Sequence, residues 1–123
     1  MATCAAIVGT EVPEDAGQDS CNILPALLGE EPENPLREAI VHHSSTGVFS
    51  IRHGDWKLIL ETQGSGGWPP PRDGGPKPGT PGQLYHIYED PSETNNVWDT
   101  YPEVVERLTA LLERFKQEGH SQM

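Results

Sequence analysis

The sequence predicts an α+β fold: a small antiparallel sheet of about four strands, packed against one amphipathic helix at the carboxyl end. Three observations carry that prediction. Residues 38–61 alternate polar and apolar side chains around two tight turns, and residues 83–89 alternate again. Residues 102–115 instead repeat their apolar positions at helical spacing.

The elements follow in chain order. "MATCAAIVG" is small and apolar up to Gly9, a natural helix stop. "DSCNILPALLG" reads as a second short helix, with Asp19 or Ser20 as its cap and Gly29 as its end. Ile23, Leu24, Leu27 and Leu28 line one side, and Pro25 suits only a first turn. After the Pro-broken "EEPENPLRE" come the strand "EAIVHH", the turn "SSTG", and the strands "VFSIR" and "DWKLILE".

His53-Gly54 between the last two predicts a primed hairpin turn. That turn sets Arg52 opposite Asp55, Ile51 opposite Trp56, Ser50 opposite Lys57 and Phe49 opposite Leu58. One face then carries Phe49, Ile51, Trp56, Leu58 and Leu60; the other carries Ser50, Arg52, Asp55, Lys57 and Glu61. Residues 63–82 are mostly Gly and Pro and predict a long loop open to proteases. "QLYHIYE" returns as a strand and "DPSETNN" as a turn. The closing helix buries Val104, Val105, Leu108, Leu111, Leu112 and Phe115, and starts on a Thr100–Glu103 capping box or on Pro102.

Composition excludes several functions. A net charge of −11 with only 8 Lys and Arg gives no basic patch for nucleic acid. No apolar run reaches membrane-spanning length, and the amino terminus lacks the basic segment of a signal peptide. A soluble chain without an address is expected, and its compartment stays open. Cys4 and Cys21 belong to no CxxC pair and read as free thiols.

The histidines tempt a metal reading, which their spacing does not support. His42 and His43 are neighbours on a strand and point to opposite faces, while His53 and His86 lie on other elements. Solvated or edge histidines, and no metal site, are the expectation. Arg52 and Asp55 read as a cross-strand ion pair beside the turn, and Lys57 as sheet surface. "PGTP" at Pro78–Pro81 matches PxxP, but interspersed glycines spoil a preformed polyproline segment.

Taken in order, "GVFSIRHGDWKLIL", "QLYHIYEDPSETNNV" and "YPEVVERLTALLERF" resemble the carboxyl-terminal part of formylglycine-dependent sulfatases of the arylsulfatase type. The shared pattern is an "IR-x-GDWKL" hairpin, then "LYNL-x-x-DP-x-E-x-x-NL", then a helix opening on "PE". His86 and Val97 stand where that pattern has Asn and Leu. "MATCAAIVGTEVP" is similar to the helix that closes the family's catalytic domain.

The resemblance implies that residues 1–35 are the tail end of the α/β catalytic domain, a helical remnant, and that 36–123 form the carboxyl-terminal subdomain. It also implies a sulfuric ester hydrolase whose nucleophile, a formylglycine within C/S-x-P/A-x-R, is missing here. Cys4 is followed by "AAIV" and Cys21 by "NILP". Calcium is expected only in a full-length sulfatase, and full-length relatives are often exported. No catalytic, cofactor or metal residue is therefore expected in this chain, and no turnover alone. His43 and Trp68 are the candidates for a substrate rim.

Ala5, Ile7, Val8, Leu24, Leu27 and Leu28 would need the missing catalytic domain, or self-association, to cover them. The alternative function is a free-standing, non-catalytic module that binds a partner.

Overall fold

A computed structural model describes residues 1–31, 33–45, 47–61 and 79–121. The chain divides into two compact units, Ala39–Gln117 and Met1–Glu38 with Glu118–Met123.

The larger unit holds the sheet. Strands β1 (Ile40–His43), β2 (Phe49–His53), β3 (Trp56–Ile59) and β4 (Gln83–His86) pair antiparallel in sequence order. Helix α3 (Pro102–Glu118) lays its apolar stripe on one sheet face. Val104, Leu108, Leu112 and Phe115 of that stripe form one cluster with Ile51, Leu58 and Leu84. Each fully buried Leu or Ile here contributes about 1.5–3 kcal/mol relative to leaving it in water. Pro102 opens α3, and the Tyr101 carbonyl accepts from the Val104 and Val105 N–H groups. Pro loses nothing there, because a first-turn N–H has no helical partner.

The hairpin turn falls one residue later than its sequence suggests. Gly54 and Asp55 form it, with φ of 58° at Gly54 and no positive φ at Asp55. That pattern requires Gly at the first central position, and "HGDW" supplies it only when His53 stays in the strand. The observed pairs are His53 with Trp56, Arg52 with Lys57, Ile51 with Leu58 and Ser50 with Ile59. Moving the turn by one residue changes each partner by two. Since side chains alternate with period two, every residue keeps its predicted face. The predicted Arg52–Asp55 pair does not form; Arg52 Nε donates to the Gly54 carbonyl at 3.2 Å.

The face away from α3 is less solvated than predicted. Ser50, Ile59, Gln83 and Tyr85 are all buried on it, whereas Arg52 is exposed. Tyr85 donates its hydroxyl to Gln83 Oε1 at 2.7 Å, and Gln83 Nε2 donates to the Glu61 carbonyl at 2.9 Å. Burial, with Glu93 and Asp90 nearby, pushes the Tyr85 phenol up to about 12.

Most of the Gly/Pro segment lies outside the described residues. At its end, Thr80 and Gly82 are buried while Gly79 and Pro81 are exposed. A Cβ on Gly82 would run into the Trp98 ring and the Ile59 carbonyl.

The smaller unit contains helices α1 (Ala2–Val8) and α2 (Leu24–Leu27), which pack together. Gly9 ends α1 with φ of 70°, as its sequence predicts. Capping differs from the expectation. Ser20 Oγ accepts from the Ala2 N–H at 2.7 Å and so caps α1, while Asn22 Oδ1 accepts from the Leu24 N–H at 3.0 Å. Asp19 accepts from the Ser121 N–H and hydroxyl, which hold its carboxyl below the usual range. Thr3 Oγ1 donates to the Cys21 carbonyl, and the Cys21 thiol donates to that of Leu36 at 2.9 Å. Both cysteines are free thiols.

Candidate functional site

The "DPSETNN" segment follows β4, and the Asp90, Glu93, Thr94 and Asn96 side chains each have a structural task. Asp90 Oδ1 accepts from the Thr94 hydroxyl at 3.0 Å and Oδ2 from the Asn95 N–H at 2.8 Å. Burial raises the Asp90 carboxyl, but the hydrogen bonds from Asn95 and Thr94 outweigh it and leave the group below its ordinary value. Between them the chain turns sharply enough that Glu93 takes a φ of 54°, unusual for a residue with a Cβ. The turn aims Glu93 back at the sheet, where Lys57 Nζ donates to Glu93 Oε1 at 2.6 Å.

Asn96 completes the attachment. Its buried Oδ1 accepts from the Leu84 and Trp98 N–H groups, both at 3.0 Å. Its Nδ2 donates to the Gly82 carbonyl at 3.1 Å and to Thr80 Oγ1 at 3.3 Å. Val97 then donates its N–H to the Leu84 carbonyl at 2.9 Å. Asn96 and the Val97 backbone thus satisfy the outer edge of β4, beside which no described strand lies. Leu84, Asp90, Glu93, Asn96 and Lys57 are shared with the motif pattern, and here they clip one turn onto one sheet.

Beside this turn lies an open cavity of about 500 Å³. Trp56, His86 and Tyr101 form its aromatic side; Asp90, Thr94 and Asn95 form its polar side. Trp56 meets His86 edge-on at 4.7 Å between centroids and Tyr101 at 5.0 Å. His86 Nδ1 is buried with no hydrogen-bond partner among the described residues, and Glu89 Oε2 is 3.9 Å away.

The predicted rim residues have separate fates. His43 sits on β1, its Nδ1 sharing a hydrogen bond with the Ser44 carbonyl at 3.0 Å and its ring tilted against Phe49 at 6.1 Å. It is not among the residues that line the cavity. Trp68 lies outside the described residues. His42 faces Lys57 and Arg52, and His53 Nδ1 lies 3.3 Å from Arg107 Nη1. Among the described residues, no three His, Cys, Asp or Glu side chains converge where a metal ion could be held. Nor is any described helix long and apolar enough to cross a membrane.

Comparison with known proteins supports the sulfatase resemblance. The chain is 37% identical over 118 residues to an N-acetylgalactosamine-6-O-sulfatase of Bacteroides thetaiotaomicron. That match takes in 94% of this chain. The motif resemblance holds: the chain matches the carboxyl-terminal part of a sulfatase.

It spans 22% of the length of that curated relative. No family model matches it. Among solved structures, a Bacteroides thetaiotaomicron protein is 35% identical, with a TM-score of 0.70 over 94% of this chain and 24% of its own. Its description concerns the metabolism of multiple glycosaminoglycans. A second, solved with its substrate D-glucosamine-2-N,6-O-disulfate, is 23% identical with a TM-score of 0.64, over 94% of this chain and 22% of its own. That second likeness extends to the fold alone. The α+β sheet-and-helix architecture is that of the sulfatase carboxyl-terminal domain.

The cavity was not legible in the sequence. Its aromatic side joins residues from a strand, a strand end and a helix start, far apart in the chain. A signal existed only in hindsight, in the aromatic residue ahead of Pro102 and the His where the family pattern has Asn.

Proposed function

We propose that this chain is the carboxyl-terminal subdomain of a sulfuric ester hydrolase acting on sulfated amino sugars, and that it does not turn over substrate alone. The observation that carries this is the 37% identity along 94% of the chain to an N-acetylgalactosamine-6-O-sulfatase, without any C/S-x-P/A-x-R segment in this sequence. A sulfatase needs a nucleophile for the sulfur and positive charge for the oxyanion that develops. Neither Cys4 nor Cys21 stands in the required context.

Calcium fits no set of residues described here. The carboxylate of Asp90 is engaged by Thr94 and Asn95, and Glu93 by Lys57, so no free carboxylate cluster remains to surround a hard cation. No step is derived through it.

The role assigned to residues 1–35 is docking on the catalytic domain. Ile7, Val8, Leu27 and Leu28 are each more than half exposed, at 61%, 73%, 65% and 67%. Such a concentration of large aliphatic side chains suits an apolar partner surface. The catalytic α/β domain is the partner proposed, with self-association as its substitute when that domain is missing.

Two measurements test this. The purified chain should hydrolyse no aryl sulfate above background; turnover abolished by Cys4→Ala or Cys21→Ala would defeat the proposal. Light scattering should show association that Leu27→Asp and Val8→Asp reduce. A strict monomer with strong amide protection across residues 2–28 would point instead to a free-standing module.

A further inference from the structure

The cavity beside the "DPSETNN" turn has a chemistry that the sulfatase reading does not use. A volume of about 500 Å³ falls among small-molecule sites, which run from about 300 to 1,000 Å³. The lining combines the aromatic rings of Trp56 and Tyr101 with a set of hydrogen-bonding groups. Asp90 and Thr94 are held in place by their own turn. The Asn95 side-chain amide stays available, because its backbone N–H alone is spent on Asp90.

A ligand for this cavity must carry an apolar face and a hydroxylated edge on one rigid ring. It must also be free of negative charge, since Asp90 and Glu89 both stand at the wall. We propose that the cavity binds an uncharged pyranose, its C–H face on Trp56 and Tyr101 and its hydroxyls on Asp90, Thr94 and Asn95.

Two further details support this assignment. His86 Nδ1 is a buried atom left without a hydrogen bond, a costly condition in a finished fold. Glu89, whose side chain is 76% exposed, can swing from its place 3.9 Å away and admit a hydroxyl to that nitrogen. The aromatic rings are also preorganised: Trp56 contacts both His86 and Tyr101, so little side-chain freedom is lost on binding.

The proposal concerns a binding site and holds whether or not the whole protein cleaves sulfate esters. Its test is titration of the full chain with galactose, N-acetylglucosamine and cyclohexanol, followed by amide and indole NMR shifts. Either sugar should move the Trp56 indole and the amides of residues 86–97, and cyclohexanol should not. Galactose 6-sulfate should bind more weakly than galactose, and Glu89→Gln should narrow that gap. Asn95→Ala, an exposed change that spares the backbone bond to Asp90, should weaken sugar binding about tenfold. Trp56→Phe should weaken it similarly, with the far amides of α3 reporting that the fold is intact. The proposal is overturned if no sugar shifts these resonances, if cyclohexanol shifts them equally, or if only the sulfated sugar does.

Discussion

The two units of this chain bury their apolar residues to very different extents. In Ala39–Gln117, Ile51, Leu58, Leu84, Leu108 and Leu112 are wholly shielded from water. In the unit containing Met1–Glu38, Ala5 is the one buried apolar residue described, and Ile7, Val8, Leu27 and Leu28 face solvent. The first unit is held by a core, the second by polar clasps such as Ser20 to Ala2 and Asp19 to Ser121. Each such clasp contributes only about 0.5–1.5 kcal/mol net. A small sheet and one helix can be self-sufficient, whereas two short helices with outward leucines leave apolar surface in contact with water.

The sharpest way to break this contrast is to truncate the same residue in both units. Leu108→Ala should cost about 2–5 kcal/mol in urea unfolding, since it leaves a cavity between α3 and the sheet. Leu27→Ala should stay within about 0.5 kcal/mol, as for other exposed positions. Equal costs would mean that α2 is already covered in the isolated chain.

Next in size is the clip on β4. Asn96→Ala strands the Leu84 and Trp98 N–H groups and the Gly82 carbonyl at once. Buried groups left unsatisfied cost about 1–3 kcal/mol each when solvent cannot reach them, so a total loss near 3 kcal/mol is expected. Asn96→Asp keeps the acceptor and should recover part of it. Gly82→Ala should lose about 1–3 kcal/mol by overpacking against Trp98 and Ile59. If Gly82→Ala unfolds only the segment around residues 79–98, leaving α3 amides protected, then the clip is a separate cooperative piece of the larger unit.

These targets differ in how far the sequence announced them. The stripe Val104, Leu108, Leu112, Phe115 and the face Ile51, Leu58 were legible because helical and strand periods are local properties. The turn was misplaced by one residue, since "HGDW" permits two positions and only the φ of Gly54 separates them. Even so, the faces survived, because the register moved by an even number. The clip was invisible for another reason: Lys57 meets Glu93 across 36 residues, and Asn96 meets Thr80 across 16. No local pattern encodes such pairings, so "DPSETNN" read only as a turn. The cavity was invisible for the same reason, being assembled from three elements.

The smallest expected effect concerns pH, and it tests whether the sheet face bearing Lys57 behaves as a packed surface. Burial, then the charges of Lys57 and Arg52, lower the His42 imidazole below its ordinary value. All three disfavour the imidazolium in the folded chain. Unfolded, the same side chain titrates near about 6.5 and binds its proton more readily. Between that value and the lower folded one, the unfolded state therefore holds more protons, and acid draws the chain toward it. Stability from this source is complete above about pH 6.5, declines as the pH falls through that window, and levels off below the folded value. His42→Gln should remove the slope, leaving midpoints at pH 7.5 unchanged and raising the midpoint at pH 5.5 relative to the parent. The carboxylates act lower: Asp90, held below its ordinary range, keeps its contribution until the pH drops under about 4. Urea midpoints at pH 5.5 and 7.5 thus isolate the histidine. A slope that persists in His42→Gln would assign the sensitivity to another histidine, and would show that the Lys57 face is solvated enough to screen its neighbours.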